Sequence, residues 1–212
     1  GPIPADILLV GEAPGADEEK TGQPFVGPAG KILDELKIDA GLGRNVRTTN
    51  AIGCRPPSNR TPTKEELSAC RIFLGREIEA VQPKIIVALG ATAAGVLSGR
   101  TIIKNNRGHL LAALPQWRTP APILITYHPA AILHQDRYSG EQIRAAILSD
   151  LKLAYTAVHG GTAGRVQTGH PYTREGQQLI QTFTEHLAAQ PNCNLACDLE
   201  WEVPTAGGGK PL

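Results

Sequence analysis

Three kinds of chemistry-bearing residue stand out in this 212-residue chain: a carboxylate and a ring held in glycine/proline turns, two clusters of basic side chains, and four cysteines. Glu12 lies between Gly11 and Gly15, directly after the apolar run Ile7-Leu8-Leu9-Val10. Phe25 follows in a second turn bounded by Pro24, Gly27 and Pro28. An acid and a flat ring on rigid turns can clamp a planar heterocycle. Neither G-x-x-x-x-G-K-[ST] nor G-x-G-x-x-G occurs, so both nucleotide fingerprints fail. The alternative for the first loop is a structural turn or a phosphate-binding glycine loop. Arg44, Arg47, Arg55, Arg60 and Lys64 sit near one loop, and Lys104, Arg107 and His109 near another. At a net charge of +1 there is no global polycation, so nucleic-acid binding must come from such local patches. No signal peptide is visible and no run is long or apolar enough to span a membrane. In such a chain, four cysteines read as reduced thiols or metal ligands rather than disulfides.

The elements that must position these residues follow from periodicity. Strands are expected at Asp6–Val10, Val46–Asn50, Lys84–Leu89 and Pro122–Tyr127. Helices are expected at Pro28–Ala40, Thr63–Val81, Thr92–Leu97 and Glu141–Val158. In the second, Leu67, Cys70, Phe73, Leu74, Ile78 and Val81 fall on one face, and Thr63 with Glu66 has capping-box spacing. Alternation of strand and helix implies an α/β fold: a three-layer α/β/α sandwich on a four-stranded parallel sheet, complete by residue 159. Ligands bind beyond the C-terminal strand ends in such sheets, where Glu12 lies. Residues 160–169 read as a linker. A helix at Thr173–Ala189 and a strand at Asn194–Leu199 then read as the truncated start of a second α/β domain over 170–212.

Five motifs in order carry a specific resemblance: GEAPG at 11–15, TGQPFVGPAG at 21–30, TNAIGCRPPSNRTPT at 49–63, KIIVALGATAA at 84–94 and YHPAAIL at 127–133. The first domain resembles a family 4 uracil-DNA glycosylase, the iron–sulfur branch of that superfamily, over about residues 3–158. The resemblance implies that uracil is flipped out of DNA and its N-glycosidic bond hydrolysed in base excision repair. It assigns Glu12 as the acid of the first motif and His128 as the histidine facing the leaving base. It assigns Phe25 as the ring under the extruded base and Asn50 as the reader of the uracil edge, and it puts Glu18 near C5, where a thymine methyl would collide. Relatives with an Asp in the first motif have Ala13 at that place here. Arg55, Arg60 and Arg107 are expected on DNA, with Leu133 as the wedge filling the vacated stack.

These residue types suit those tasks. The Asn50 amide can accept from uracil N3–H and donate to O4, whereas cytosine reverses both groups. A neutral His128 donating to O2 would stabilise the departing pyrimidine anion.

Cys54 and Cys70 match the second pair of ligands of the family's [4Fe–4S] cluster. The resemblance puts the first pair upstream of the first strand, so two of four ligands are expected here. Cys193 and Cys197 are rejected as replacements, because i, i+4 spacing in a strand makes no clamp. The segment between Cys54 and Cys70 holds no histidine insertion of the kind that traps uracil-DNA covalently, so turnover is expected.

The segment from Tyr172 to Glu202 resembles the start of a DnaQ-like 3′–5′ exonuclease domain ahead of family A DNA polymerases. Asp198 and Glu200 would be its metal pair, since i and i+2 share a strand face. The expected partner is uracil-containing DNA, in a fusion with an exonuclease or polymerase, within bacterial or phage-infected cytoplasm at the nucleoid. The rival reading is a catalytically idle uracil- or DNA-binding module of such a fusion.

Overall fold

The computed structural model describes residues 1–160 and 166–167. The linker and second-domain expectations beyond them, with Cys193, Cys197, Asp198 and Glu200, lie outside the described residues. Elements run β1 (Ile7–Gly11), α1 (Ala16–Thr21), α2 (Pro28–Asp39), β2 (Val46–Asn50), α3 (Lys64–Val81), β3 (Ile85–Leu89), α4 (Ala91–Ser98), α5 (Ile103–Asn106), β4 (Leu110–Leu111), β5 (Ile123–Thr126), α6 (Ala130–Leu133), α7 (Arg137–His159) and β6 (Val166–Gln167).

The sheet order is β2-β1-β3-β5-β4-β6. The four expected strands are the four that run parallel: β1 pairs with β2 and β3, and β3 with β5. The sheet itself is not four-stranded. Two strands of two residues each extend it, β4 antiparallel to β5 and β6 parallel to β4. Such short segments carry no periodicity to reveal them.

Side chains alternate across the sheet and so build two cores. Leu8, Val10, Ile86, Ala88, Ile123 and Ile125 meet α3 and α4 on one face. Ile7, Leu9, Ile85, Val87, Leu89 and Leu124 meet α2 and α7 on the other. The strands are buried on both faces, which is why they read as unbroken apolar runs.

The helices follow their stripes. α3 opens with the Thr63/Glu66 capping box and buries Leu74, Ile78 and Val81. Phe73 was expected on this face and instead is 64% exposed. One residue from Leu74 is a 100° rotation, which carries Phe73 off the stripe. Leu67 and Cys70 are half-buried. α7 starts four residues earlier than expected, because the Asp136 carboxylate accepts from the Ser139 N–H and caps it. Its stripe is Ile147, Leu151, Ala154 and Val158.

From β1 the chain moves outward to β2, then returns past β1 to β3. The strand order therefore reverses between β1 and β3, and a crevice opens there at their C-terminal ends.

Candidate active site

The crevice holds a cavity of about 620 Å³, lined among others by Glu12, Phe25, Asn50 and His128. Three of them arrive from a strand's C-terminal end or the loop beyond it, and Phe25 from the turn between α1 and α2. Glu12 follows β1, Asn50 closes β2, and His128 stands two residues beyond β5. Ala13, Glu18, Arg60 and Leu133 also line it.

Phe25 has φ +58°, a conformation that costs a bulky residue energy and that its surroundings must hold. Glu18 supplies much of the hold. Its carboxylate accepts from the N–H of Val26 (2.9 Å), of Gly27 (2.8 Å) and of Gly15 (3.0 Å). It thus ties the first turn of α1 to the N-terminus of α2, with the Phe25 turn between. Burial pushes the Glu18 carboxyl up, and the backbone donors led by Gly27 outweigh it, so its pKa lies below the usual value. The side chain expected beside C5 of a base thus has its carboxylate committed to the loop that presents Phe25.

Gly11 explains how ring and amide converge. A Cβ there would stand 2.5 Å from both the Phe25 ring and the Asn50 side-chain oxygen. The bare backbone at the end of β1 lets both close on it.

The His128 ring lies 5.8 Å from the Phe25 ring, centroid to centroid, at 25° between planes. Its Nδ1 accepts from the Ala130 N–H at 3.1 Å. In a neutral imidazole the proton is then on Nε2. Burial drives the His128 pKa down to about 4, against a smaller upward pull from the Glu18 charge. The side chain is therefore a neutral Nε2–H donor at ordinary pH.

The Glu12 carboxylate accepts a hydrogen bond from the Thr92 hydroxyl, at the start of α4. Sequence reasoning missed Thr92. The available signal was its place just past β3, on the far bank of the switch point from Glu12.

The arginines expected on DNA all have carboxylate partners. Arg55 donates to Glu19 at 3.0 Å and to Asn59 at 2.7 Å. Arg60 grips Glu66 through two nitrogens, at 2.8 and 2.7 Å, and pulls that carboxyl down to about 2. Arg107 turns inward: its Nε and Nη2 reach Asp150 at 3.1 and 3.0 Å, Nη2 also reaches the Ala146 carbonyl, and the guanidinium lies over the Tyr127 ring. It braces the end of β5 instead of facing outward. Leu133 is 48% exposed on the cavity rim.

Cys54 is exposed beside a second groove of about 930 Å³, and Cys70 is half-buried on α3; both are free thiols. A cubane cluster takes four thiolates, and among the described residues no three His, Cys, Asp or Glu side chains gather to hold a metal. The described residues alone therefore do not make a complete cluster site. Among them no helix is long and apolar enough to cross a membrane.

A family model described as the uracil DNA glycosylase superfamily matches residues 1–152. The chain belongs to that superfamily. The type-4 uracil-DNA glycosylase of Archaeoglobus fulgidus is 41% identical over 154 residues, covering 70% of this chain and 74% of the relative. That of Thermotoga maritima is 41% identical over 157 residues, covering 73% and 78%. A DNA polymerase of Bacillus phage SP01 is 28% identical over 185 residues, covering 86% of this chain and 18% of the polymerase. The four side chains around the cavity all lie within the residues that the superfamily model matches, while the similarity to the polymerase runs on past that match.

Proposed function

We propose that this protein is a uracil-DNA glycosylase of the type-4 kind, with Glu12, Phe25, Asn50 and His128 as its working residues. The observation that carries the reading is their convergence in one cavity with His128 held as a neutral Nε2–H donor. The extruded uracil lies flat on Phe25. Asn50 accepts from N3–H and donates to O4, a pattern that cytosine does not match. A water bonds through its oxygen to the sugar C1′ and gives its proton to Glu12. The C1′–N1 electron pair leaves with the pyrimidine, whose charge gathers at O2 beside the His128 N–H. The anion then takes up a proton from solvent and Glu12 returns its own, giving free uracil and an abasic sugar. Glu18 shapes the site by holding the Phe25 turn, Ala13 leaves Glu12 as the only acid in its loop core, Arg60 and Leu133 meet DNA at the cavity rim, and Arg55 meets it from the adjoining groove.

Cys54 and Cys70 are assigned as two of the four ligands of a [4Fe–4S] cluster that serves structure; no step of the chemistry runs through it. The polymerase similarity, which covers more of the chain than the superfamily match, supports a parent protein that joins uracil removal to DNA synthesis.

The test is an end-labelled oligonucleotide with one uracil, incubated with the protein and treated with hot alkali. Cleavage at the uracil position, and none at thymine in the same place, is expected. Binding without cleavage would overturn the reading in favour of an idle recognition module.

A further inference from the structure

Glu12 and His128 come from different strands, β1 and β5, with β3 between them in the sheet. The chain just beyond β3 touches both. Thr92 donates its hydroxyl to Glu12 Oε2. Gly90 backs His128: a Cβ at Gly90 would lie 3.0 Å from the His128 Cβ, and the φ of +90° there suits glycine. Its N–H also donates to the Thr126 carbonyl at 2.9 Å, which ties this turn to β5 two residues before His128. Gly90 and Thr92, two residues apart, thus set the acid and the histidine relative to each other.

A glutamate on a loop has three rotatable bonds, the last of them broad and roughly two-fold. Unheld, it sweeps both oxygens through the crevice. Threonine is suited to stop this, because branching at Cβ restricts its χ1. Its single hydroxyl proton is engaged by Oε2, and among the described residues no donor reaches Oε1, which is left as the less encumbered oxygen.

We propose that Thr92 is a positioning residue of the glycosylase reaction, fixing Glu12 by one carboxylate oxygen so that the other receives the proton of the attacking water. This rests on the proposed glycosylase activity. Thr92 is not required to touch the base or the DNA.

The experiment measures single-turnover uracil release by wild type, Thr92→Val, Thr92→Ser, Glu12→Gln and the Thr92→Val/Glu12→Gln double variant, with binding and melting temperature measured alongside. Thr92→Val should slow release by about 10-fold or more, leaving affinity for uracil-containing DNA and the melting temperature near wild type. Thr92→Ser should recover most of the rate, because it restores the hydroxyl. The double variant should be no slower than Glu12→Gln alone, since Thr92 acts through Glu12. A Thr92→Val rate equal to wild type would overturn the proposal. So would a further loss in the double variant equal to that of the single one, which is what general loop damage produces. If valine prevents folding, Thr92→Ala and Thr92→Ser carry the same comparison. An inactive wild type would sink the glycosylase reading itself, whereas an active wild type indifferent to Thr92 would sink only this inference.

Discussion

The base pocket and its rim are both full of internal hydrogen bonds, and those bonds have opposite consequences. In the pocket they aim groups at the ligand. Glu18 holds the Phe25 turn through three backbone donors, and the Ala130 N–H sets the His128 tautomer. On the rim they compete with the ligand. Arg55 and Arg60 already grip Glu19 and Glu66, so a DNA phosphate must displace a carboxylate to reach them. Exposed pairs of this kind are weak because water screens them, which makes the exchange easy. The proposed DNA contacts therefore ask one region to stay as it is and the other to reorganise.

That contrast is broken most severely at His128. His128→Ala should slow uracil excision about 100-fold or more in single turnover, with DNA affinity little changed. Arg55→Ala/Arg60→Ala should do the reverse, weakening binding and leaving the bound rate intact. Equal effects of both variants on the bound rate would erase the distinction.

The pH dependence sharpens it. With the His128 pKa at about 4, its neutral form persists through neutral and mildly acidic pH; protonation then places a hydrogen on Nδ1 against the Ala130 N–H and unseats the ring, so this limb of the excision rate should fall only as pH approaches 4. Stability shifts in the same direction. The folded pKa lies below the unfolded one, so the unfolded chain binds the proton more readily, and stability is lost as pH falls from about 6.5 towards 4. The loss attributable to this group should be on the order of 3 kcal/mol. Urea unfolding of wild type and His128→Ala between pH 7 and 4 measures it as the part that disappears in the variant.

A smaller effect is expected at Glu18. Glu18→Gln replaces one acceptor oxygen with a donor facing backbone donors, at a cost of about 1–3 kcal/mol of stability. The Phe25 turn should loosen, raising KM for uracil-DNA several-fold more than it lowers kcat. A variant with unchanged KM would mean that the turn holds Phe25 without Glu18.

The smallest effect belongs to the rim. Glu19→Gln frees Arg55, and DNA affinity should rise by a few-fold with a salt dependence steeper by about one counterion. Arg55→Ala/Arg60→Ala should flatten that dependence instead. Salt titrations of binding at fixed pH read both.

The parallel strands were legible because burial on two faces writes them as apolar runs, and α3 because Thr63 and Glu66 announce its start. β4 and β6 were not, being two residues long. α1 buries none of its own residues and so has no apolar stripe to read. The site divides in the same way. Glu12, Asn50 and His128 sit in recognisable motifs at strand ends and Phe25 in one between two helices, and the fold brings them into one cavity. Their partners do not follow from spacing. Thr92 lies 80 residues from Glu12, and Arg107 lies 43 from Asp150. Such contacts depend on how separate loops are set against one another, which no local pattern encodes. Arg107 looks like any basic loop residue until α7 brings Asp150 beside it.

Asp150 is 2% exposed, accepts from Thr126 at 2.6 Å as well as from Arg107, and still has its pKa raised by burial. A raised carboxylate favours folding only at low pH and counts against it as pH rises through the folded value. At neutral pH Thr126 and Arg107 hold the Asp150 carboxylate against the opposing pull of burial. Replacing Arg107, Asp150 and Thr126 together with apolar side chains of similar volume is a route to a hardier scaffold, whereas removing Arg107 alone strands a buried charge. Such a replacement would give up the brace on Tyr127, one residue from His128, so the buried knot links the domain's stability to the placing of its histidine.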